Sequence, residues 1–333
     1  MQHKAQLEAA RTSQGTHDYS LCFSLVKEQI SRADIAIGNL EVTLGGKPYT
    51  GYPAFSAPDE FLYAIRDAGF DILLTANNHC LDRGKKGLER TILMLDSLHI
   101  PYTGTYRNKE ERSQRYPLLI DKNGFRIALL NYTYDTNGVK PTSPNIVNYI
   151  DKKIIQQDID TARTWQPDAI IACMHWGNEY QSLPSREQRQ LVDWLLKQGV
   201  THIVGSHPHV IQPMELRTDT LTGMQHAVVY SLGNFISNMS KVNTDGGLIF
   251  TLELEKDTVI SSTPSVHISH CGYNLVWTAR PTLTKEKNYV LYPTDSTSVS
   301  KLPEVARNHL NIFTKNSRKL LQQHNVGIKE NKK

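Results

Sequence analysis

Six short apolar runs, each closed by polar residues, constrain this chain most: DIAIGNLE, DILLTANNH, RIALLNYTYD, AIIACMHWGNE, HIVGSHPH and AVVYSLGNF. Between them lie amphipathic stretches such as SLCFSLVKEQISRA, DEFLYAIRDAG, GLERTILMLDSL and REQRQLVDWLLKQG, whose apolar residues recur at helical spacing. Strands alternating with helices predict an α/β sheet, and continuously apolar strands predict that both of its faces are covered. In open α/β sheets the ligand sits beyond the carboxyl ends of the strands, so the polar tails should converge on one crevice.

Those tails are chemically selective. They offer Asn39 and Glu41, then Asn77, Asn78, His79 and Asp82, then His175, Asn178 and Glu179, then His207 and His209, and finally Asn234. Imidazole, carboxylate and amide oxygen are the donors a divalent transition metal accepts, and cysteine is missing from the set, which favours a catalytic centre over a structural one. A dinuclear site of this kind clamps a phosphoryl or acyl oxygen, activates water near neutral pH and leaves a free histidine to protonate the leaving group. Singly, each piece is ordinary: GNLE and NNH are common turn chemistry, and the proline of HPH can simply stiffen a turn. Independent turns, however, have no reason to place His, Asn or Glu after successive buried strands. Pro208 is expected to hold His207 and His209 in an extended pose.

Several classes are excluded. A formal charge of +4 over 333 residues, with no basic stripe, asks for no nucleic-acid partner. Apolar runs of four to seven residues are too short for a transmembrane helix, and the first fifteen residues lack the apolar core of a signal peptide. The cysteines Cys22, Cys80, Cys173 and Cys271 form no CxxC pair, so neither a disulfide framework nor a zinc knuckle is indicated.

The blocks IGNLEVTLGG, LLTANNHCLDRGKKGLERT, MHWGNEY, VGSHPHVIQPMEL and YSLGNFISN resemble, in order and spacing, those of the CapA family of poly-γ-glutamate capsule biosynthesis proteins, within the calcineurin-like metallophosphoesterase superfamily. The resemblance runs from about residue 3 to residue 253. It implies a four-layer α/β/β/α sandwich with a centre of two divalent metal ions (Mn, Zn or Fe) at the strand ends. It further implies that Asn78 is a metal ligand and His79 the catalytic acid, with Asp82 beside it, and that His175, His207 and His209 are ligands. Two departures from the superfamily pattern follow. Where Gly-Asp with a bridging carboxylate is usual, this chain has GNLE, so Asn39 substitutes as a neutral ligand or Glu41 reaches in. Family members also open with a strand ending in Gly-Asp just before a segment like MQH. The first central strand and its carboxylate are therefore expected to be missing from this chain by truncation, while His3 still reaches the site. His3, Asn77, Glu179 and Asn234 are read as substrate-binding.

The expected organisation is one metallophosphoesterase-like domain over residues 1–280 and a C-terminal extension over 281–333. Further strands are expected over residues 254–278, a helix from about residue 303 to 324, and a disordered basic tail, KENKK. Function is expected in the biosynthesis of a capsule, poly-γ-glutamate or related envelope polymer. The leading reading is a metal-dependent hydrolase of a phosphoester or of a polymer amide or ester. The alternatives are a non-catalytic accessory protein that holds an anionic polymer within a synthesis or export complex, and a metal-free sugar or peptide module. The location expected is the cell envelope or another extracytoplasmic site if a leader precedes this chain, and otherwise the cytoplasm.

Overall fold

The computed structural model describes residues 1–257 and 266–332. Each apolar run becomes a strand. β1 (Ile37–Asn39), β2 (Ile72–Leu74) and β3 (Tyr102–Thr103) form one parallel sheet. A small antiparallel ribbon joins β4 (Thr105–Tyr106) to β7 (Ile146–Val147). The second sheet has the order β10-β11-β9-β8-β6-β5, built from β5 (Leu118–Lys122), β6 (Phe125–Thr133), β8 (Ala169–His175), β9 (His202–Ser206), β10 (Ile211–Thr218) and β11 (Gln225–Leu232). Its four inner strands are parallel, and the two edge strands β10 and β5 are antiparallel to their neighbours.

Alternation along these strands produces the layers. Ile72 and Leu74 of β2 share a buried cluster with Leu129 of β6 and Cys173 of β8, so the two sheets pack face to face. The residue between them, Leu73, turns the other way, onto Phe61, Leu62 and Ile65 of α3 (Asp59–Asp67) and Leu88, Ile92 and Leu95 of α4 (Gly84–Ser97). On the second sheet Ala128, Leu130, Ile170, Ala172 and Met174 turn outward onto Ile155 and Ile159 of α6 (Lys152–Thr164) and Val192 and Leu195 of α7 (Arg186–Lys197). Helices, sheet, sheet, helices: these are the four layers expected. Among the described residues no helix is long and apolar enough to cross a membrane.

The structure departs locally from the sequence reading. The stretch read as one helix over residues 20–33 is a 3₁₀ turn, Ser20–Phe23, followed by a short α2 (Lys27–Ser31), and Cys22, Phe23, Val26 and Ile30 all bury into the same cluster. Shorter helices α1 (Lys4–Ala10), α5 (Lys109–Arg115) and α8 (Pro281–Thr284) fill the connections. A third sheet holds β12 (Gly246–Lys256), β13 (Val266–Ala279) and β14 (Val290–Pro293); the strands expected over residues 254–278 thus flank residues 258–265, which lie outside the described residues. Beside it lies α9 (Glu304–His324), whose Leu310, Phe313 and Leu321 share one apolar cluster with Leu275 and Trp277 of β13 and with Ile211 and Met214 of β10. The tail expected to be disordered is instead anchored over its described residues. β15 (Lys329–Glu330) pairs with β13, and Glu330 receives both guanidinium arms of Arg318 at 2.8 Å.

His202, 4% exposed at the start of β9, accepts the Ala227 N–H at its Nδ1. Burial, with the nearby His226 adding to it, lowers its pKa to about 4. Below the ordinary histidine value of 6.5 the unfolded chain takes up a proton that the folded chain refuses, so stability falls as pH drops from 6.5 toward 4. His202→Asn keeps an acceptor for Ala227 without the charge. Its unfolding free energy, followed by urea titration at pH 7.5 and pH 4.5, should lose on the order of 3 kcal/mol less across that interval than wild type. Equal losses in the two proteins would refute the assignment.

Candidate metal centre

The parallel strands of both sheets point their carboxyl ends the same way, and the polar tails meet there. From the first sheet come Asn39 and Glu41 after β1, and Asn77, Asn78, His79 and Asp82 after β2. His175 closes β8, His207 and His209 follow β9, and Asn234 follows β11. Glu41, Asn77, Asn78, His79, His175, His207, His209 and Asn234 are all buried.

Two ligand-like groupings face one another. Asn78 Oδ1 lies 2.8 Å from His175 Nε2, and Glu41, His207 and His209 bring donor atoms within 4.8 Å of one another. Glu41 Oε1 is also 4.0 Å from His175 Nε2, so its carboxylate faces both groupings. Glu41 Oε1 and His207 Nδ1 are buried with no hydrogen-bond partner. Orphaned lone pairs of this kind are costly in a fold that otherwise satisfies its buried polar atoms. A divalent cation accepts such a donor set, so these residues fit the metal that the sequence resemblance implies.

The imidazoles are held in the form a cation requires. Burial, reinforced by neighbouring imidazoles, pushes the His175 pKa well below the usual histidine value and that of His207 down to about 3. Both stay neutral through the physiological range.

The turn after β9 is tighter than expected. His207 has φ of 104° and His209 φ of 60°, so Pro208 does not hold them extended. Both occupy backbone regions that β-carbon-bearing residues rarely adopt, and such strain concentrates at functional sites. The kink turns both rings into the crevice, 5.7 Å apart by centroid, with His175 4.9 Å from His207. Gly205, in β9 just before this turn, allows close packing of the strand: a β-carbon there would come within 2.1 Å of the Tyr230 carbonyl and 2.4 Å of Trp176 Nε1.

The remaining expected residues fall into distinct positions. His79 Nδ1 lies 2.7 Å from Asp82 Oδ2, which also accepts the Phe55 N–H at 2.7 Å, so Asp82 is pinned and fixes the ring. Asn39 donates to Glu41 at 3.4 Å and accepts from Asn77. Asn77 spends its amide on the Leu40 carbonyl and the His79 N–H, locking the turn. Glu179 is exposed, with Oε1 3.8 Å from His209 Nε2. His3 sits behind Phe55, edge-on at 5.3 Å, and accepts the Asn238 N–H. Asn234 has both ends of its amide engaged inside the protein.

Several contributors were not singled out from the sequence. The Tyr134 ring lies 4.5 Å from that of His207, Ser206 Oγ is 3.1 Å from His175 Nδ1, and Asn137 accepts from Asn78 Nδ2 while its own nitrogen lies 3.4 Å from His79 Nδ1. Ser206 and Tyr134 sit in strand tails and were within reach of the same reasoning. Asn137 lies in a TNG turn like any other.

Residues 1–239 match the family described as bacterial capsule synthesis protein PGA_cap. The chain belongs to that family. The capsule biosynthesis protein CapA of Bacillus anthracis is 28% identical over 240 residues, covering 68% of this chain and 56% of that protein. The PGA biosynthesis protein CapA of Bacillus subtilis (strain 168) is 28% identical over 250 residues, covering 71% and 61%. The chain thus spans less than two thirds of the length of these relatives. Among solved structures, the NAD nucleotidase NadN of Haemophilus influenzae aligns with a TM-score of 0.48 at 13% identity, over 93% of this chain and 58% of that one. The Thermus thermophilus sulfate thiohydrolase SoxB aligns with a TM-score of 0.42 at 14% identity, over 92% and 47%.

For this PGA_cap chain the orphaned carboxylate yields a prediction with opposed signs. Glu41→Gln removes a buried charge whose Oε1 has no hydrogen-bond partner and whose cationic neighbour, the Met1 ammonium, is itself disfavoured by burial, so metal-free protein should be as stable as wild type or more so. Its affinity for Zn²⁺ or Mn²⁺, measured by chelator competition, should drop by at least about tenfold through the lost charge and altered ligand. Lower metal-free stability with unchanged metal affinity would show that Glu41 serves the fold instead.

Proposed function

We propose that this chain is a metal-dependent hydrolase acting on a phosphoester, or on an amide or ester, of an anionic envelope polymer of the poly-γ-glutamate type. In this reading Asn78 and His175 would hold one divalent ion and His207 and His209 a second, with Glu41 supplying the carboxylate of the set. The observation that carries it is the pair of partnerless buried atoms, Glu41 Oε1 and His207 Nδ1, in a cluster where burial keeps His175 and His207 neutral. When bound, such ions polarise the scissile group and supply a nucleophilic water at neutral pH.

The chain's own residues do the rest. Asp82 holds the His79 Nδ1 edge, which leaves Nε2 to deliver a proton to the leaving group. Phe55 packs on the same ring, 4.6 Å away, and fixes its tilt. Tyr134, 44% exposed, covers His207 and His175 and narrows the approach to them. The envelope setting rests on family membership and on the names of the CapA relatives.

The test is metal content by elemental analysis after loading, together with turnover of bis(p-nitrophenyl) phosphate. His207→Ala should lose retained metal and turnover together. His79→Ala should keep the metal and lose about 10²–10⁴ in kcat. Retained metal without turnover in wild type would favour the accessory role, in which the same cleft grips the polymer. Absence of retained metal would remove the hydrolase reading and leave the binding or assembly role.

A further inference from the structure

We propose that Asn234 sets the tautomer and aim of His209, and that the chain beyond residue 239 holds Asn234 in the pose that does so; the inference rests on His209 being a metal ligand. His209 Nδ1 lies 3.1 Å from Asn234 Oδ1. An amide can be turned either way, and its other end decides. Asn234 Nδ2 lies 2.8 Å from the Thr244 carbonyl and 3.2 Å from Met239 Sδ, and both of those groups only accept. The nitrogen must therefore face Thr244, and the oxygen must face His209. An amide oxygen cannot donate, so His209 Nδ1 carries the proton and Nε2 keeps its lone pair for the centre.

The other two imidazoles are not held through Nδ1 in this way, although His175 Nε2 lies 2.8 Å from the Asn78 amide oxygen. His207 Nδ1 has no partner, and His175 Nδ1 meets the Ser206 hydroxyl, which donates or accepts equally well. Among these three, only His209 has its Nδ1 held by an amide oxygen.

Met239 apart, what fixes Asn234 comes from outside the family-matched residues 1–239. Its backbone N–H donates to the Gly246 carbonyl. The Thr244 carbonyl is placed by a short loop pinned at three points. Thr244 donates to the Lys241 carbonyl through both N–H and hydroxyl, Asp245 accepts from Trp277 Nε1 at 3.0 Å, and Asn243 accepts from Asn316 of α9 at 2.9 Å. The Asp245 carbonyl also accepts the Thr278 N–H at 2.8 Å. The third sheet and α9 thus reach the metal centre through one side-chain amide, which makes Asn234 a positioning residue.

The experiment uses the 333-residue chain and two readouts: the His209 tautomer by long-range ¹H–¹⁵N NMR of metal-free protein, and Zn²⁺ affinity by chelator competition. Wild type should show the Nδ1–H tautomer. Asn234→Leu should lose that preference and bind Zn²⁺ about 10–100-fold more weakly. Asn234→Asp still accepts from His209 but loses the donor to Thr244, so it should keep the tautomer and bind Zn²⁺ more weakly than wild type, though less so than Asn234→Leu. Asp245→Ala, which frees the loop from Trp277, should weaken binding in the same direction by a smaller factor. A wild-type Nε2–H tautomer, or unchanged affinity in Asn234→Leu, overturns the proposal. Should Asn234→Leu fail to fold, the wild-type tautomer and Asn234→Asp decide it. Zn²⁺ failing to bind wild type refutes the metal reading instead, and the tautomer then still reports on Asn234.

Discussion

The dry contact between the two sheets is what the rest of the structure depends on. Ile72 and Leu74 on one side, and Leu129 and Cys173 on the other, hold the sheets face to face at the spacing of about 10 Å that interleaved side chains allow. Because the inner strands are parallel within each sheet and open at the same end, that one contact brings Glu41, Asn78 and His79 from the first sheet against His175, His207 and His209 from the second. No single element contains the site. A chain with the same motifs but a strand paired one residue out of register would scatter them, since such a slip turns every inward side chain of that strand outward.

The apolar body supports a polar cluster that opposes folding. A carboxylate oxygen and an imidazole nitrogen lie buried without partners, two imidazoles are refused protons they would take in water, and His207 and His209 adopt strained backbone conformations. Each of these costs stability in the metal-free protein, and each is relieved or made useful by a cation. The cluster is coherent as a binding site and incoherent as a structural core. The hydrogen bonds around it are complete by contrast: Asn77, Asp82 and Asn234 are fully engaged, and they hold the less satisfied residues in place.

Much of this was legible in the sequence, for identifiable reasons. A strand buried on both faces is a continuous apolar run, so β6, β8, β9 and β11 announce themselves, and the polar residues after each run mark the crevice. Conformation at the turns was not legible. Nothing in SHPH distinguishes an extended pair of histidines from one folded back at positive φ. The same holds for direction: Asn234 reads as a free amide in SLGNF, yet its partners, Thr244 and His209, come from opposite sides in sequence. The helix expected over residues 20–33 divides into a 3₁₀ turn and a short helix, although Cys22, Phe23, Val26 and Ile30 keep helical spacing, and nothing in that spacing signals the break. The tail around Lys329 reads as solvated charge, although Arg318 and a strand edge on β13 capture it.

The central claim, that the strand-end cluster is a metal centre, is most directly tested by anomalous diffraction from crystals of this chain grown with Mn²⁺ and measured near the manganese absorption edge. The account predicts an anomalous peak within bonding distance of Glu41, His207 and His209, and places any second peak beside Asn78 and His175. A well-ordered cluster with no anomalous peak, or peaks confined to other parts of the surface, would contradict it.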